Sequence, residues 1–279
     1  MRIHLTRGYI ETLVFASYPD GRILVLDGGC RSDVPKMISF VEEKLERSYA
    51  DVKLQIASHS HPDHAGAVGY LRKKYGVPIA APANMDRWYA GFGGFLQHKI
   101  DICLTYTVVH AMGQPYKNIW YSRYTRPDFP LKDGQPLPGF PDWQALAAPG
   151  HTGHDMVFYH AESKTLYAAD VILSVNRNFL VPFPMSFPEQ MEETYFRLRN
   201  LDVQHLILAH SGMMRIENMA SVIDPLLELL KDKKIHQHFN RILPLTRFSP
   251  VLKSWSENEA EWTMEDEEYS FFMKNKGRI

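Results

Sequence analysis

Cysteine is scarce in this 279-residue chain: Cys30 and Cys103 are the only two, and they form no Cys-x-x-Cys pair. That excludes a disulfide framework and a thiolate zinc knuckle, and it suits a reducing compartment, the cytoplasm. Net charge is equally scarce, −1 from 31 Lys+Arg against 32 Asp+Glu. No global basic excess therefore favours nucleic acid as a partner. No run approaches the roughly 20 apolar residues that a membrane span needs. The opening MRIHLTRGYIETLVF has neither the apolar core nor the small-residue cleavage site of a secretory signal. Internal repeats and low-complexity linkers are missing too. What is left, 45% hydrophobic and 23% charged residues, excludes intrinsic disorder and is long enough to bury one large core.

Histidine is the residue in excess, with thirteen copies, and placement says more than number. SHSHPDHAG holds His59, His61 and His64 with Asp63 between the last two. Before it, Val52–Ala57 alternates apolar and polar residues as a half-buried strand does. After it, Ala65, Val68 and Leu71 fall at helical spacing and Gly76 supplies a stop. The motif thus occupies a strand-to-helix loop, where His59 and His61 can aim at one point while Asp63 and His64 aim at a second nearby. Imidazole and carboxylate suit zinc, iron or manganese. The chain supplies more such groups in similar settings. His151 follows the Pro149-Gly150 turn, Asp170 ends TLYAAD, and His210 ends HLILAHSG. Four strand ends delivering His or Asp into loops is how an α/β layered protein builds a site on one edge of its sheets.

Asp27-Gly28-Gly29, His59-x-His61-x-Asp63-His64, Pro149-Gly150-His151-Thr152, Asp170 and His210-x-Gly212 resemble, in order and spacing, the five motifs of the metallo-β-lactamase-fold superfamily, over residues 10 to 215. The resemblance implies an α/β (α+β) fold of four layers, an αββα sandwich. It implies that His59, His61 and His151 hold one divalent metal and that Asp63, His64 and His210 hold a second. Asp170 would bridge them, with zinc the first choice and iron or manganese the others. Asp27 would orient the ligand loop without touching metal; His154, close to His151, either supports the ligands from behind in the same way or only packs or faces solvent. The activity implied is hydrolysis of an ester-like bond, thioester or lactone preferred, by a metal-bridging hydroxide, with Asp63 orienting the nucleophile and shuttling a proton. Rival readings are a phosphodiesterase, a mononuclear-iron sulfur dioxygenase, and a metal-retaining ligand-binding protein.

Departures from family patterns narrow this set. Some β-lactamases carry Cys where this chain has Asp170 and others lack the bridging carboxylate, which argues against antibiotic hydrolysis. Flavodiiron proteins have Glu at the place of His61. Quorum lactonases have Tyr just after the bridging Asp, where Val171 stands here. The PGHTGH wording is that of glyoxalase II, yet no glutathione-binding basic residues match.

Strands are expected near 10–17, 22–26, 144–148, 156–160, 165–169 and 204–209, with helices near 33–48 and 188–200. Residues 1–215 then form the catalytic domain and 216–279 a helical extension packed on it. Between His64 and His151 lies an insert, 88–140, dense in aromatics, whose Gly91-Phe92-Gly93-Gly94 reads as a mobile loop. It is expected to be a lid or wall over the metals, with Trp88, Phe92 and Tyr121 selecting an apolar or aromatic small molecule, or else core or a homodimer interface. Arg177 and Phe179, after Asp170, are a second candidate wall.

Overall fold

A computed structural model describes residues 1–232 and 248–252. Two six-stranded sheets face each other. The first has strand order β1 (Arg2–Arg7), β2 (Thr12–Ser17), β3 (Ile23–Leu26), β4 (Val52–Ile56), β5 (Ile79–Pro82) and β6 (Phe129–Leu131). It is antiparallel from β1 to β3 and parallel from β3 to β6. The second pairs β7 (Pro136–Leu137), β8 (Phe140–Ala147), β9 (Met156–His160), β10 (Thr165–Tyr167), β13 (His205–Leu208) and β14 (Gly212–Arg215). Only β10 and β13 run parallel there. A hairpin of β11 (Leu173–Val175) and β12 (Asn178–Leu180) stands apart.

The strand alternation decides which residues fill which layer. On β2, Val14 and Ala16 point between the sheets while Leu13 and Phe15 point outward. Between the sheets they meet Leu24, Leu54 and Ile56 from the first sheet and Trp143, Phe158 and Ile207 from the second. Outside the first sheet, Leu13, Phe15 and Val25 pack on Val34 and Met37 of α1 (Val34–Ser39) and Leu71 of α3 (Val68–Tyr75). Outside the second, Leu166 and Leu206 pack on Met191 and Tyr195 of α5 (Pro188–Leu198) and on Val222 and Leu226 of α6 (Met219–Leu230). The four layers are helix, sheet, sheet, helix, as expected for an αββα sandwich. Phe158, fully buried between the sheets, tests that layer. Phe158→Ala is expected to cost about 3–5 kcal/mol, read as a lowered denaturant midpoint with an unchanged slope.

Three expectations change. Strand β1 lies outside the expected set, although Ile3 and Leu5 turn to the inter-sheet core in alternation. The helix near 33–48 is shorter, ending as a wider π-type turn at Lys44. The insert is the largest correction: its glycines do not form a loop but begin a 21-residue helix, α4 (Gly91–Ala111). Gly93 and Gly94 are there for close approach, whereas Gly91 supplies a backbone φ of +63. A Cβ on Gly94 would lie 2.1 Å from the Tyr89 carbonyl carbon, and one on Gly93 2.4 Å from the Phe248 carbonyl oxygen. As for the extension, α6 is itself part of the outer helix layer, whereas Trp255, Trp262, Tyr269 and Phe271 lie outside the described residues. Among the described residues no helix is long and apolar enough to cross a membrane.

Candidate metal centre

The seven candidate ligands come from four loops at the ends of strands β4, β8, β10 and β13, and they converge in two adjoining groups. His59, His61 and His151 form one; Asp63, His64, Asp170 and His210 form the other. Short-range structure sets the aim. His61 immediately precedes α2 (Pro62–Ala65), whose proline suits a first helical turn and brings Asp63 and His64 round to the second group. Ala169 holds φ +44, a conformation uncommon for a side-chain-bearing residue, immediately before Asp170.

In the first group His61 Nδ1 lies 3.1 Å from His59 Nε2 and 2.9 Å from His151 Nε2. Ligand bonds of about 2.0–2.1 Å in a tetrahedron separate neighbouring nitrogens by roughly 3.3 Å, so the spacing fits one ion. Burial pushes His59 well below the ordinary range and His61 to about 4, and it lowers His151 as well. These imidazoles are therefore neutral. Outward, His151 Nδ1 donates to the Pro184 carbonyl and His59 Nδ1 faces Ser58 Oγ at 3.1 Å. Their inward Nε2 atoms are then bare lone pairs, and a single proton on His61 can satisfy one of them at most. A cation satisfies all three.

The second group is shaped by carboxylates. Asp63 Oδ2 lies 3.6 Å from both His64 Nε2 and His210 Nε2. Burial disfavours charge on His64, but Asp170, Asp27 and Asp63 outweigh it and hold its pKa well above the ordinary value. His210, opposed by burial in the same way, is carried up to about 9 by Asp170 and Asp63. Asp170 itself is drawn well below the carboxylate range: burial works against its charge, but His64 and His210 prevail. His64 Nε2 and Asp170 Oδ1 are nevertheless buried with no hydrogen-bond partner of acceptable geometry. A pocket that pulls positive charge onto its imidazoles and leaves such atoms unpaired has the donor chemistry of a divalent-cation site.

Behind these residues Asp27 gathers four donors. Ser58 N reaches Oδ1 at 2.6 Å, while Ser58 Oγ (2.6 Å), His64 Nδ1 (2.7 Å) and Tyr167 OH (2.8 Å) reach Oδ2. Gly28 N–H then donates to the His64 carbonyl at 2.8 Å, and a Cβ there would sit 2.3 Å from Val68 Cγ1. That close approach admits only glycine. His210 Nδ1 donates to the Ile10 carbonyl at 3.1 Å. His154 is buried beside Trp88, ring centroids 5.5 Å apart, with Nε2 unpartnered and its pKa pushed down to about 3 by burial and by His61 and His151.

The candidate pocket residues scatter. Trp88 is buried against Phe187 and His154. Tyr121 is held inward, its hydroxyl donating to the Ser60 carbonyl. Phe92 is 77% exposed on the first turn of α4. Arg177, also exposed, occupies the β11–β12 turn at φ +65, and Phe179 packs on the core beneath α5 and α6. The cleft that does open beside the metal centre, about 350 Å³, has other walls: Arg7, Ile10, Glu11, Met112, His210 and Ser211 are among them. Two buried acids near the ligands belong to none of the sequence motifs. Glu11 brings Oε2 to 3.6 Å from His64 Nδ1, and burial raises its pKa well above the usual range. Asp101, on α4, brings Oδ2 to 3.6 Å from His61 Nε2, and burial raises it to about 6.

Comparison with known proteins settles the family, because the profile of the metallo-beta-lactamase superfamily matches residues 12–210. The chain belongs to the metallo-β-lactamase superfamily. With its His/Asp cluster it is a metal-dependent hydrolase of that superfamily. A curated relative, the probable metallo-hydrolase YflN of Bacillus subtilis strain 168, is 19% identical over 220 residues, covering 74% of this chain and 82% of its own. Among solved structures, a superfamily protein from Sulfolobus tokodaii superposes with TM-score 0.60 at 14% identity, over 92% of this chain and 98% of that one. A metallo-beta-lactamase family protein from Thermus thermophilus gives 0.59 at 19% identity, over 91% and 93%. At these identities the superfamily structures speak for the fold alone.

Proposed function

We propose that this chain is a dinuclear metal hydrolase that cleaves an ester-like bond, a thioester or lactone, in a small molecule with an apolar or aromatic part. One observation carries the reading: the two oxygens of Asp170 divide between the ligand groups. Oδ2 faces His151 Nε2 at 3.6 Å and His59 Nε2 at 4.0 Å, while Oδ1 faces His210 Nε2 at 3.0 Å and His64 Nε2 at 3.3 Å. A carboxylate so placed is built to serve two ions, with His59, His61 and His151 completing one set and Asp63, His64 and His210 the other. Divalent cations held there, zinc by the donor set, supply acidified water and a Lewis acid for a carbonyl oxygen.

The protein's own residues do the rest. Asp63, 8% exposed at the first turn of α2, can accept a proton at Oδ2 and return it to the leaving group. The ligand set carries only the two negative charges of Asp63 and Asp170, so the loaded centre stays positive and favours an anionic tetrahedral intermediate. The cleft beside His210, walled by Ile10 and Met112, offers apolar surface for the substrate's body. Phe92, Tyr116 and Trp120 are exposed on the insert, the surface through which a homodimer would form. Free Cys30 and Cys103 accord with a cytoplasmic setting.

The test is elemental analysis of protein purified without chelator, followed by a panel of thioesters, lactones and phosphodiesters. Roughly two zinc equivalents per chain and turnover of carbonyl substrates are expected. Preference for phosphodiesters would replace the substrate class, and a single iron with oxygen consumption would replace the reaction.

A further inference from the structure

Four of the five ligand histidines follow one pattern: Nε2 points to the metal centre and Nδ1 to a fixed partner. The partners are Ser58 Oγ for His59, Asp27 for His64, the Pro184 carbonyl for His151 and the Ile10 carbonyl for His210. Such outer partners fix the tautomer and raise ligand basicity. His61 is reversed. Its Nδ1 faces His59 and His151, so its outer atom is Nε2, and the group facing Nε2 is Asp101 Oδ2 at 3.6 Å. Asp101 is 5% exposed and its rotamer is held from both sides, Tyr89 OH donating to Oδ2 at 2.8 Å and Gln97 Nε2 to Oδ1 at 2.7 Å. Gln97 Oε1 in turn accepts the Phe248 N–H at 3.0 Å, and Ser249 Oγ donates to the Trp88 carbonyl at 2.7 Å. The described C-terminal residues thus clamp the helix that carries Asp101.

We infer that Asp101 is the positioning residue of His61: the insert helix supplies the acceptor that keeps the proton on Nε2 and leaves the Nδ1 lone pair for the metal. This rests on the metal-centre reading of His61 above and gives the insert a task that neither a lid nor an interface has. Asp101 is buried among tyrosine, tryptophan, glutamine and histidine, and among the described residues His61 is the basic group that comes within ion-pair distance of it. Burial of a carboxylate is tolerated when donors surround it, and here an imidazole N–H would join the donors of Gln97, Tyr89 and Trp88.

The experiment uses the full chain with Asp101→Asn, which keeps size and can still accept from Gln97, together with Asp101→Ala and the longer acid Asp101→Glu. Two quantities are read: the His61 ring-nitrogen shifts by NMR in chelator-treated protein, and zinc affinity by chelator competition with zinc alone. Wild type should show the Nε2–H tautomer at His61. Asp101→Asn and Asp101→Ala should lose that preference and bind zinc about 10–100-fold more weakly at the His59/His61/His151 group, with partial recovery in Asp101→Glu. Unchanged tautomer and unchanged zinc affinity in Asp101→Asn would overturn the inference. Should Asp101→Ala fail to fold, Asp101→Asn still decides. Wild type that bound no zinc would remove the dinuclear reading, while the tautomer measurement would still judge Asp101.

Discussion

Asp170→Ala is expected to empty both halves of the centre together. One oxygen of Asp170 faces the three-histidine group and the other faces the Asp63/His64/His210 group, so its removal takes a ligand from each. It also removes a negative charge beside His64 and His210, so the pocket attracts a cation less strongly. Zinc content should drop from roughly two equivalents towards none, and turnover should fall on the order of 10³-fold or more, the several kcal/mol that Lewis-acid stabilisation supplies. Asp63→Ala is the internal comparison. Among the described residues the ion-pair partners of Asp63 are His64 and His210, so the His59/His61/His151 group should keep its ion. Equal metal loss in both variants would mean that the two groups act as one site, and full retention in Asp170→Ala would remove the bridge altogether.

What the sequence made legible divides along a physical line. Ligands at strand ends are announced by their surroundings: an apolar strand, then, directly or after a Pro-Gly turn, a His or Asp. His151 and Asp170 belong to this kind. Helix α4 belongs to the other. Its buried stripe is Gly94, Gln97, His98, Asp101, Ile102, Thr105 and Val109, helical in spacing but mostly polar. A search for apolar periodicity therefore passes over it, and three glycines near its start argue for a loop. Gly93 and Gly94 answer to close packing instead, with Phe248 and Tyr89 pressed against them, and Gly91 to a backbone φ of +63. Polar residues repeating at three and four positions would have been the signal, with Asp101 one turn beyond Gln97. Glu11 gives no such hint, because a lone acid between a turn and a strand is ordinarily solvated. Only the folded chain shows its carboxylate 2% exposed beside His64.

The same carboxylate-rich half of the centre predicts how the metal-free protein responds to pH. His210 titrates at about 9 in the folded chain, where burial is outweighed by Asp170 and Asp63, against 6.5 for an ordinary histidine. His64 is shifted the same way. His59, His61, His151 and His154, held low by burial, oppose this while their unfolded counterparts still carry protons, so it is from roughly pH 7.5 to about 9 that the folded state binds more protons than the unfolded state and stability falls as pH rises. The contribution of His210 is fully present below pH 6.5 and lost through about pH 9, on the order of 3 kcal/mol. Thermal unfolding of chelator-treated protein should thus show Tm declining from roughly pH 7.5 to about 9. Zinc should reverse the trend, because the cation takes the place of the protons on His64 and His210 and its affinity rises as they leave. The gap between the two Tm curves should widen with pH. A metal-free Tm that climbs from roughly pH 7.5 to about 9, or a gap that narrows, would place the positive charge elsewhere than on these two imidazoles.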